Sequence, residues 1–392
     1  MSIPRHILPI IVIAQFCCTS LWFAGNGVMN DLVKAFNLQP SSLSHLTSAV
    51  QLGFIAGTLV FALLTIADRY SPSRVFFISA ILGALFNLGT ILESNGLVSL
   101  LVFRFFTGFC LAGIYPVGMK IAADYFDKKL GKSLGLLVGA LVVGTAFPHL
   151  LKEFTTGLPW KLVLIATSSI AVLGGAMIYV FVPDGPYRKP SQKPDLTAMF
   201  SVFKDQKFRA AAFGYFGHMW ELYAFWAFVP VMLVSYMNIH PDVNFNIPLY
   251  SFLIIGLGSI ACVIGGYLSQ SHGAKKIAFI ALLLSGLCCL ISPAIFWIDS
   301  STIFIGFLIF WGLVVIADSP LFSTLVAQSA AAESKGTALT IVNSIGFSIT
   351  IISIQLINML KDVISPEYLF MVLAVGPVFG LMALMKKNVK AE

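Results

Sequence analysis

The chain has 392 residues, of which 58% are hydrophobic and only 10% are charged, whereas an average soluble domain is about 25% charged. With a mean hydropathy of +0.91, this composition excludes both a soluble globular protein and a disordered one. The net charge of +7 does not indicate a nucleic-acid partner, because most of the 24 Lys and Arg residues fall in short gaps between apolar runs.

Twelve apolar segments follow one another along the chain, and each is close to the length of about 20 residues that a helix needs to cross a membrane. We number them one to twelve: 7–30, 43–66, 75–94, 97–123, 132–152, 161–183, 208–236, 249–269, 276–298, 302–329, 336–360 and 367–386. The sequence therefore predicts an all-α membrane protein with twelve transmembrane helices. A polar stretch at 184–207, rich in proline and basic residues, predicts a linker between an N-terminal bundle at 1–183 and a C-terminal bundle at 208–392.

The distribution of basic residues predicts the orientation. If the N-terminus is cytoplasmic, 18 of the 24 Lys and Arg residues lie on the inside and four lie outside, with Arg104 and Lys120 inside segment four. Loops rich in basic residues stay in the cytoplasm. We therefore expect both termini and the linker to be cytoplasmic, in a multi-pass protein of the inner (cytoplasmic) membrane that contacts the lipid bilayer and is a monomer.

The two halves of the chain resemble each other weakly. Tyr115-Pro116 lies in segment four and Ser319-Pro320 in segment ten, and laying one proline on the other brings Gly131 within one residue of Gly336. Two similar six-helix halves are the architecture of one large transporter class.

Two acidic residues stand apart from the other 15, because only Glu221 and Asp318 lie well inside apolar segments. A charge in the bilayer costs at least about 2.5–3.5 kcal/mol on insertion scales. Glu221 lies about twelve residues into segment seven, or roughly 18 Å deep, and His218 precedes it by three residues on the same helical face. We predict that Glu221, His218 and Asp318 carry protons. The alternatives are a neutral, structural Glu221 and an Asp318 that locks two helices together.

Segment four carries a buried cation as well. Arg104 lies about seven residues into the segment, and Tyr115 falls within about 20° of it on a helical wheel. This face predicts a cavity lining in which Arg104 and Tyr115 bind substrate; the alternative is an Arg104 that pairs with a helix end. Lys120 lies about 160° away and near enough to the cytoplasm to extend its ammonium there.

Three motifs identify a family resemblance. Residues 66–74 resemble a degraded Gly-x-Leu-Ala-Asp-Arg-x-Gly-Arg motif in which Asp68, Arg69 and Arg74 match, and Arg104 with Gly108 resembles an Arg-x-x-x-Gly pattern. Gly135, Gly139, Gly144 and Pro148 resemble a glycine-rich fifth span. Over essentially its whole length the chain resembles the major facilitator superfamily of secondary transporters.

The resemblance implies further site residues. It supports a gate built from Asp68, Arg69, Arg74 and Asp124, with Arg74 expected to pair with Asp124. It links the residue at the Arg104 position to proton coupling or to substrate anions. Spans one and seven commonly line the cavity in this family, which implies substrate contacts for a set of aromatic and polar residues. These are Trp22, Asn26, Trp220, Tyr223 and Trp226, to which the polar Asn343 of segment eleven is added.

The function predicted from the sequence is secondary active transport of a small solute, by preference an organic anion, coupled to protons through alternating access. The alternatives are a proton-driven exporter of cationic drugs or metal ions and a nontransporting membrane sensor. No Gly-rich phosphate loop, HExxH or GxSxG pattern indicates an enzyme. We expect no cofactor, no bound metal and no nucleic-acid partner.

Overall fold

Every regular element of the described residues is helical in the computed structural model, which covers 4–39, 41–126, 130–188, 202–330 and 335–385. Seven of the twelve apolar segments form one long helix each. In chain order these are Ser42–Leu63, Pro72–Gly89, Leu130–Phe154, Lys161–Phe181, Gln206–Ile239, Ala274–Phe296 and Lys335–Leu360. The all-α prediction is confirmed for these ranges.

The other five segments are interrupted. Segment one divides into Ile7–Thr19, Ala24–Gly27 and Met29–Ala35, and segment four divides into Leu97–Leu111 and Tyr115–Tyr125. Segment eight divides into Ile247–Gly256 and Gly258–His272, and segment ten into Ser301–Ala317 and Ser319–Ser329. Segment twelve divides into Pro366–Leu369, a 3-10 turn at Phe370–Ala374 and Val375–Met385. In segments four and ten the second helix begins one residue before Pro116 and Pro320. Proline lacks the amide hydrogen that a helix uses for its backbone hydrogen bonds, and both breaks lie next to one.

When the parts of segments four, eight, ten and twelve are joined, eleven helical spans of the described chain are long and apolar enough to cross a membrane, and the short apolar helix Ile7–Thr19 is additional to them. Segment one, expected to be one helix, is broken between Thr19 and Ala24. The twelve-helix count and the cytoplasmic termini stay predictions. Seven of the basic residues used for the orientation lie outside the described residues: Lys128, Lys129, Lys189, Lys193, Lys386, Lys387 and Lys390.

The chain divides into two compact units. Unit one contains Met1–Ser191 and Asn246–Ser259, and unit two contains Gln192–Phe245 and Ile260–Glu392. The first helix of segment eight belongs to unit one because it packs along segment five, where Gly256 lies beside Ala146. Most of the predicted linker falls outside the described residues, and the bundle boundaries at 183 and 208 stay predictions.

Segments two and four of unit one pack backbone against backbone. A methyl group placed on Gly53 would overlap the carbonyl oxygen of Phe105, and one placed on Gly108 would overlap that of Val50. Small residues allow such close approach between membrane helices, where van der Waals packing replaces the hydrophobic effect as the force that holds helices together.

We expect Gly108→Ala to lower the apparent melting temperature of the purified protein in detergent, because the two helices must separate to admit the methyl group. Overpacking of this kind costs about 1–3 kcal/mol. The matched control is Gly306→Ala on segment ten, where a methyl group meets no other atom; this variant should melt at or above the wild-type temperature. Equal melting of the two variants would contradict the tight crossing.

Candidate functional site

The long helix of segment seven buries two ionisable side chains in unit two. Glu221 has no exposed surface and His218 is 1% exposed. The residues that meet them come from segments nine and ten, so the sequence-predicted pair is brought into one region of the unit. Each of the two side chains nevertheless has its own set of partners.

Glu221 is held by three neutral donors. The indole nitrogen of Trp311 lies 2.6 Å from Oε1 and the thiol of Cys289 lies 3.3 Å from the same oxygen. The hydroxyl of Ser285 lies 2.9 Å from Oε2. Within the described part of the chain Glu221 forms no ion pair. No fixed cation beside it therefore holds the carboxylate in its charged form.

His218 pairs with Asp318. Its Nδ1 lies 2.8 Å from Oδ1 of Asp318, and both side chains are buried. Asp318 sits at the junction of the two helices of segment ten, where the interruption brings the carboxylate toward segment seven. We expected His218 and Glu221 to meet through their three-residue spacing; the structure instead joins each of them to segment ten.

Arg104 is buried in unit one, with 2% of its surface exposed. Its guanidinium donates to the backbone carbonyls of Leu21, at 3.2 Å, and Trp22. These carbonyls belong to the interruption of segment one, where the helical hydrogen bonds are missing. These contacts match the alternative considered from the sequence, a partner for a helix end, and substrate binding by Arg104 stays a prediction.

A series of hydrogen-bonded side chains extends from Arg104 across unit one. Asn87 accepts from the guanidinium at 3.4 Å. Its amide nitrogen lies 3.2 Å from Thr167 Oγ1 and 3.0 Å from Ser168 Oγ. Sequence reasoning missed Asn87, Ser285, Cys289 and Trp311. All four lie in apolar segments. The polarity of Asn87 and Ser285 within those segments was the signal that could have identified them as site residues.

The predicted substrate-contacting residues of segment one are engaged within unit one. Trp22 donates to Gln51 at 3.1 Å, and Asn26 donates to Thr47 at 2.9 Å. Both residues are buried. In the same unit Tyr115 is half-buried at the start of the second helix of segment four.

The predicted substrate-contacting residues of unit two lie on different faces of their helices. Tyr223 and Trp226 are buried and form an edge-to-face pair with ring centres 5.3 Å apart. Trp220 donates to the carbonyl of Val372 on segment twelve at 3.3 Å, which places it on another face of the helix. Asn343 is half-buried on segment eleven. Contact with the substrate stays a prediction for all the residues of this set.

The gate predicted around Asp68 has a different cation at its centre. Lys120 lies 2.8 Å from Asp68 and 3.8 Å from Asp124. The expected pairing of Arg74 with Asp124 is wrong: Arg74 is exposed and lines an open pocket of about 550 Å³ with Ser71 and Asp184. The break in segment four brings Lys120, one turn before Asp124, toward the short helix Ile66–Arg69, which carries Asp68.

The chain beyond segment six ties this region together. Arg188 donates to the carbonyls of Asp68 and Tyr70, both at 2.8 Å, and pairs with Asp184. The amide of Tyr187 donates to the carbonyl of Asp124 at 3.0 Å. Arg69, the remaining predicted gate residue, is exposed.

Comparisons with known proteins agree with the helical architecture. The family model of the Major Facilitator Superfamily matches residues 11–354. The efflux pump FUB11 of Gibberella moniliformis is 29% identical over 195 residues, which are 46% of this chain and 32% of that protein. A putative metabolite transport protein of Haemophilus influenzae is 28% identical over 135 residues, 32% of each chain. The chain thus matches about a third of the length of these relatives.

Two solved structures share the fold over nearly the whole chain. The human organic anion transporter MFSD10 (TETRAN) superposes with a TM-score of 0.78 at 13% identity, covering 98% of this chain and 100% of that one. A bacterial homologue of the human lysosomal transporter Spinster, inward-facing and unoccupied, superposes with a TM-score of 0.71 at 15% identity and 98% coverage of each chain. At this identity the likeness concerns the fold alone.

We expect Arg104→Lys to lower the apparent melting temperature by several degrees, because an ammonium cannot reproduce the planar fork that binds two carbonyls and Asn87. Arg209→Lys is the matched control, since Arg209 also donates to two backbone carbonyls but is exposed. Melting is followed by intrinsic fluorescence in detergent. Wild-type melting of Arg104→Lys would contradict the structural role.

Proposed function

The chain belongs to the Major Facilitator Superfamily, and on that premise we propose that it is a proton-coupled transporter of a small organic solute in which Glu221 carries the coupling proton. Members of this family are multi-pass membrane transporters. Alternating access exposes a central site to one side of the membrane at a time. A proton carrier in such a protein must be buried, ionisable and free of a permanent counter-charge.

The observation that carries the proposal is the set of partners around Glu221. A permanent ion pair would hold the carboxylate in its charged form, whereas the side chains of Trp311, Ser285 and Cys289 are neutral donors. A carboxylate in an apolar site without a cation is able to exist in both protonation states. Intramembrane acidic residues of this kind mark proton relays and ion pathways.

The pair of His218 and Asp318 is the second ionisable group of unit two. We propose that it responds to the state of Glu221, since both groups depend on the position of segment ten. This role keeps the three residues predicted from the sequence in one coupling site.

For the solute, we propose a cationic or neutral organic molecule that is exported. Unit two buries two acidic residues, and the guanidinium of Arg104 is already occupied by carbonyls. The efflux pump FUB11 among the relatives supports the direction of transport. The expected organic anion is the second candidate, supported by the positive charge of Arg104, which has no carboxylate partner among the described residues.

Other roles follow as parts of the same proposal. The Asp68, Lys120 and Asp124 cluster opens and closes one side of unit one. The protein works in the cytoplasmic membrane as a monomer with lipids, solute and protons as its partners. Metal export is the weaker alternative, since no cluster of three metal-ligating side chains occurs among the described residues.

We expect Glu221→Gln to abolish solute-driven proton movement in proteoliposomes, because an amide of the same shape cannot take up and release a proton. Liposomes with an acidic interior and an entrapped pH dye receive tetraphenylphosphonium or ethidium, which are permanently charged and carry no proton themselves. Wild-type protein should dissipate the pH gradient when the cation is added, and the variant should behave like empty liposomes.

Glu93→Gln is the matched control for this experiment, because Glu93 is the same residue in an exposed pair with Lys161; it should transport like the wild type. Benzenesulfonate, a permanently ionised anion, is tested with the pH gradient reversed. Gradient dissipation by benzenesulfonate alone would favour the organic-anion candidate. Wild-type proton movement in Glu221→Gln would overturn the assignment of the proton carrier.

A further inference from the structure

The two oxygens of Glu221 have different neighbours. Oε1 accepts from Trp311 and Cys289, whereas Oε2 contacts Ser285. An indole N–H only donates and never accepts a hydrogen bond. A proton placed on Oε1 would therefore point toward a donor at 2.6 Å and would break the shortest contact of the site. When Glu221 is protonated, the proton belongs on Oε2.

Ser285 has the geometry to change its role. Its hydroxyl lies 2.9 Å from Oε2 of Glu221 and 3.1 Å from the carbonyl of Leu282, one turn earlier on the same helix. A hydroxyl has one proton to donate and lone pairs that accept, and it rotates to suit its neighbours. Serine commonly donates to a carbonyl three or four residues before it in a helix. Ser285 thus has two acceptors for one proton.

We propose that Ser285 is the positioning residue that lets Glu221 exist in both charge states without an unpaired polar group, an inference that rests on the proposed function. In the charged state the Ser285 hydroxyl donates to Oε2. When a proton binds Oε2, the new carboxylic O–H donates to Ser285 Oγ, and the Ser285 proton turns to the carbonyl of Leu282. Release of the proton reverses both steps. No proton is transferred to serine, so the hydroxyl reorients and the charge balance is that of Glu221 alone.

Among the described residues, Ser285 is the side chain that contacts Oε2. The titratable groups around Glu221 are the thiols of Cys289 and Cys288 and the pair of Asp318 with His218. The thiol of Cys289 contacts Oε1, and the carboxylate of Asp318 lies beside His218. A buried polar group without a partner costs about 1–3 kcal/mol. Loss of the Ser285 hydroxyl would leave Oε2 without its partner in both states.

Infrared difference spectroscopy of the full-length protein tests this directly, without a known solute. The carbonyl stretch of a protonated carboxylic acid moves to higher frequency when its O–H loses an acceptor. The difference spectrum between acidic and alkaline pH contains the band of protonated Glu221. This band is identified because it is missing from the spectrum of Glu221→Gln. We expect Ser285→Ala to shift this band to higher frequency, Ser285→Cys to shift it less, and Ser285→Thr, which keeps the hydroxyl, to leave it in place.

Ser292→Ala is the matched control, since Ser292 lies on the same helix and donates to the carbonyl of Cys289 without touching Glu221; its band should stay at the wild-type frequency. An unchanged band in Ser285→Ala, or in Ser285→Cys should the alanine variant not fold, overturns the role of Ser285. A wild-type protein with no Glu221-dependent band at any pH overturns the proposed proton carrier instead, so the two failures are distinguishable.

Discussion

A polar group inside the bilayer must find its partner within the protein, because no water is available there. This constraint decides where the chain bends and which side chains meet. Three buried ionic groups, Arg104, Glu221 and Asp318, each contact a polar partner, and two of the three do so at an interrupted helix. The interruptions and the buried charges are therefore parts of one arrangement in each unit.

The two units meet the constraint with opposite chemistry. In unit one a permanent cation binds the carbonyls of Leu21 and Trp22 that the break in segment one exposes, and a guanidinium does not lose its proton. In unit two the buried groups are carboxyl, imidazole, hydroxyl and thiol, all of which change their bonding when a proton arrives. The first site is suited to holding one structure, and the second to responding to pH.

Much of this could be predicted from the sequence, because depth in an apolar segment singles out Glu221, Asp318 and Arg104, and the prolines of segments four and ten explain their breaks. The partners could not be predicted. A segment that is apolar on all sides does not reveal which face meets its neighbour, so the contact of Trp311 with Glu221 was not visible. The same uncertainty made Arg74 the expected partner of Asp124, whereas the structure uses Lys120.

The donors around Glu221 also bear on the choice between a structural carboxyl and the proposed proton carrier. A carboxyl kept permanently neutral needs only one acceptor for its proton, and three donors on its two oxygens would not favour that state. A carboxylate kept permanently charged would be better served by a cation, and none is beside it in the described chain. Three donors stabilise the negative charge of the carboxylate, and the Ser285 hydroxyl is able to turn away when a proton binds. This combination fits the proposed role of Glu221, whose charge would change during the transport cycle.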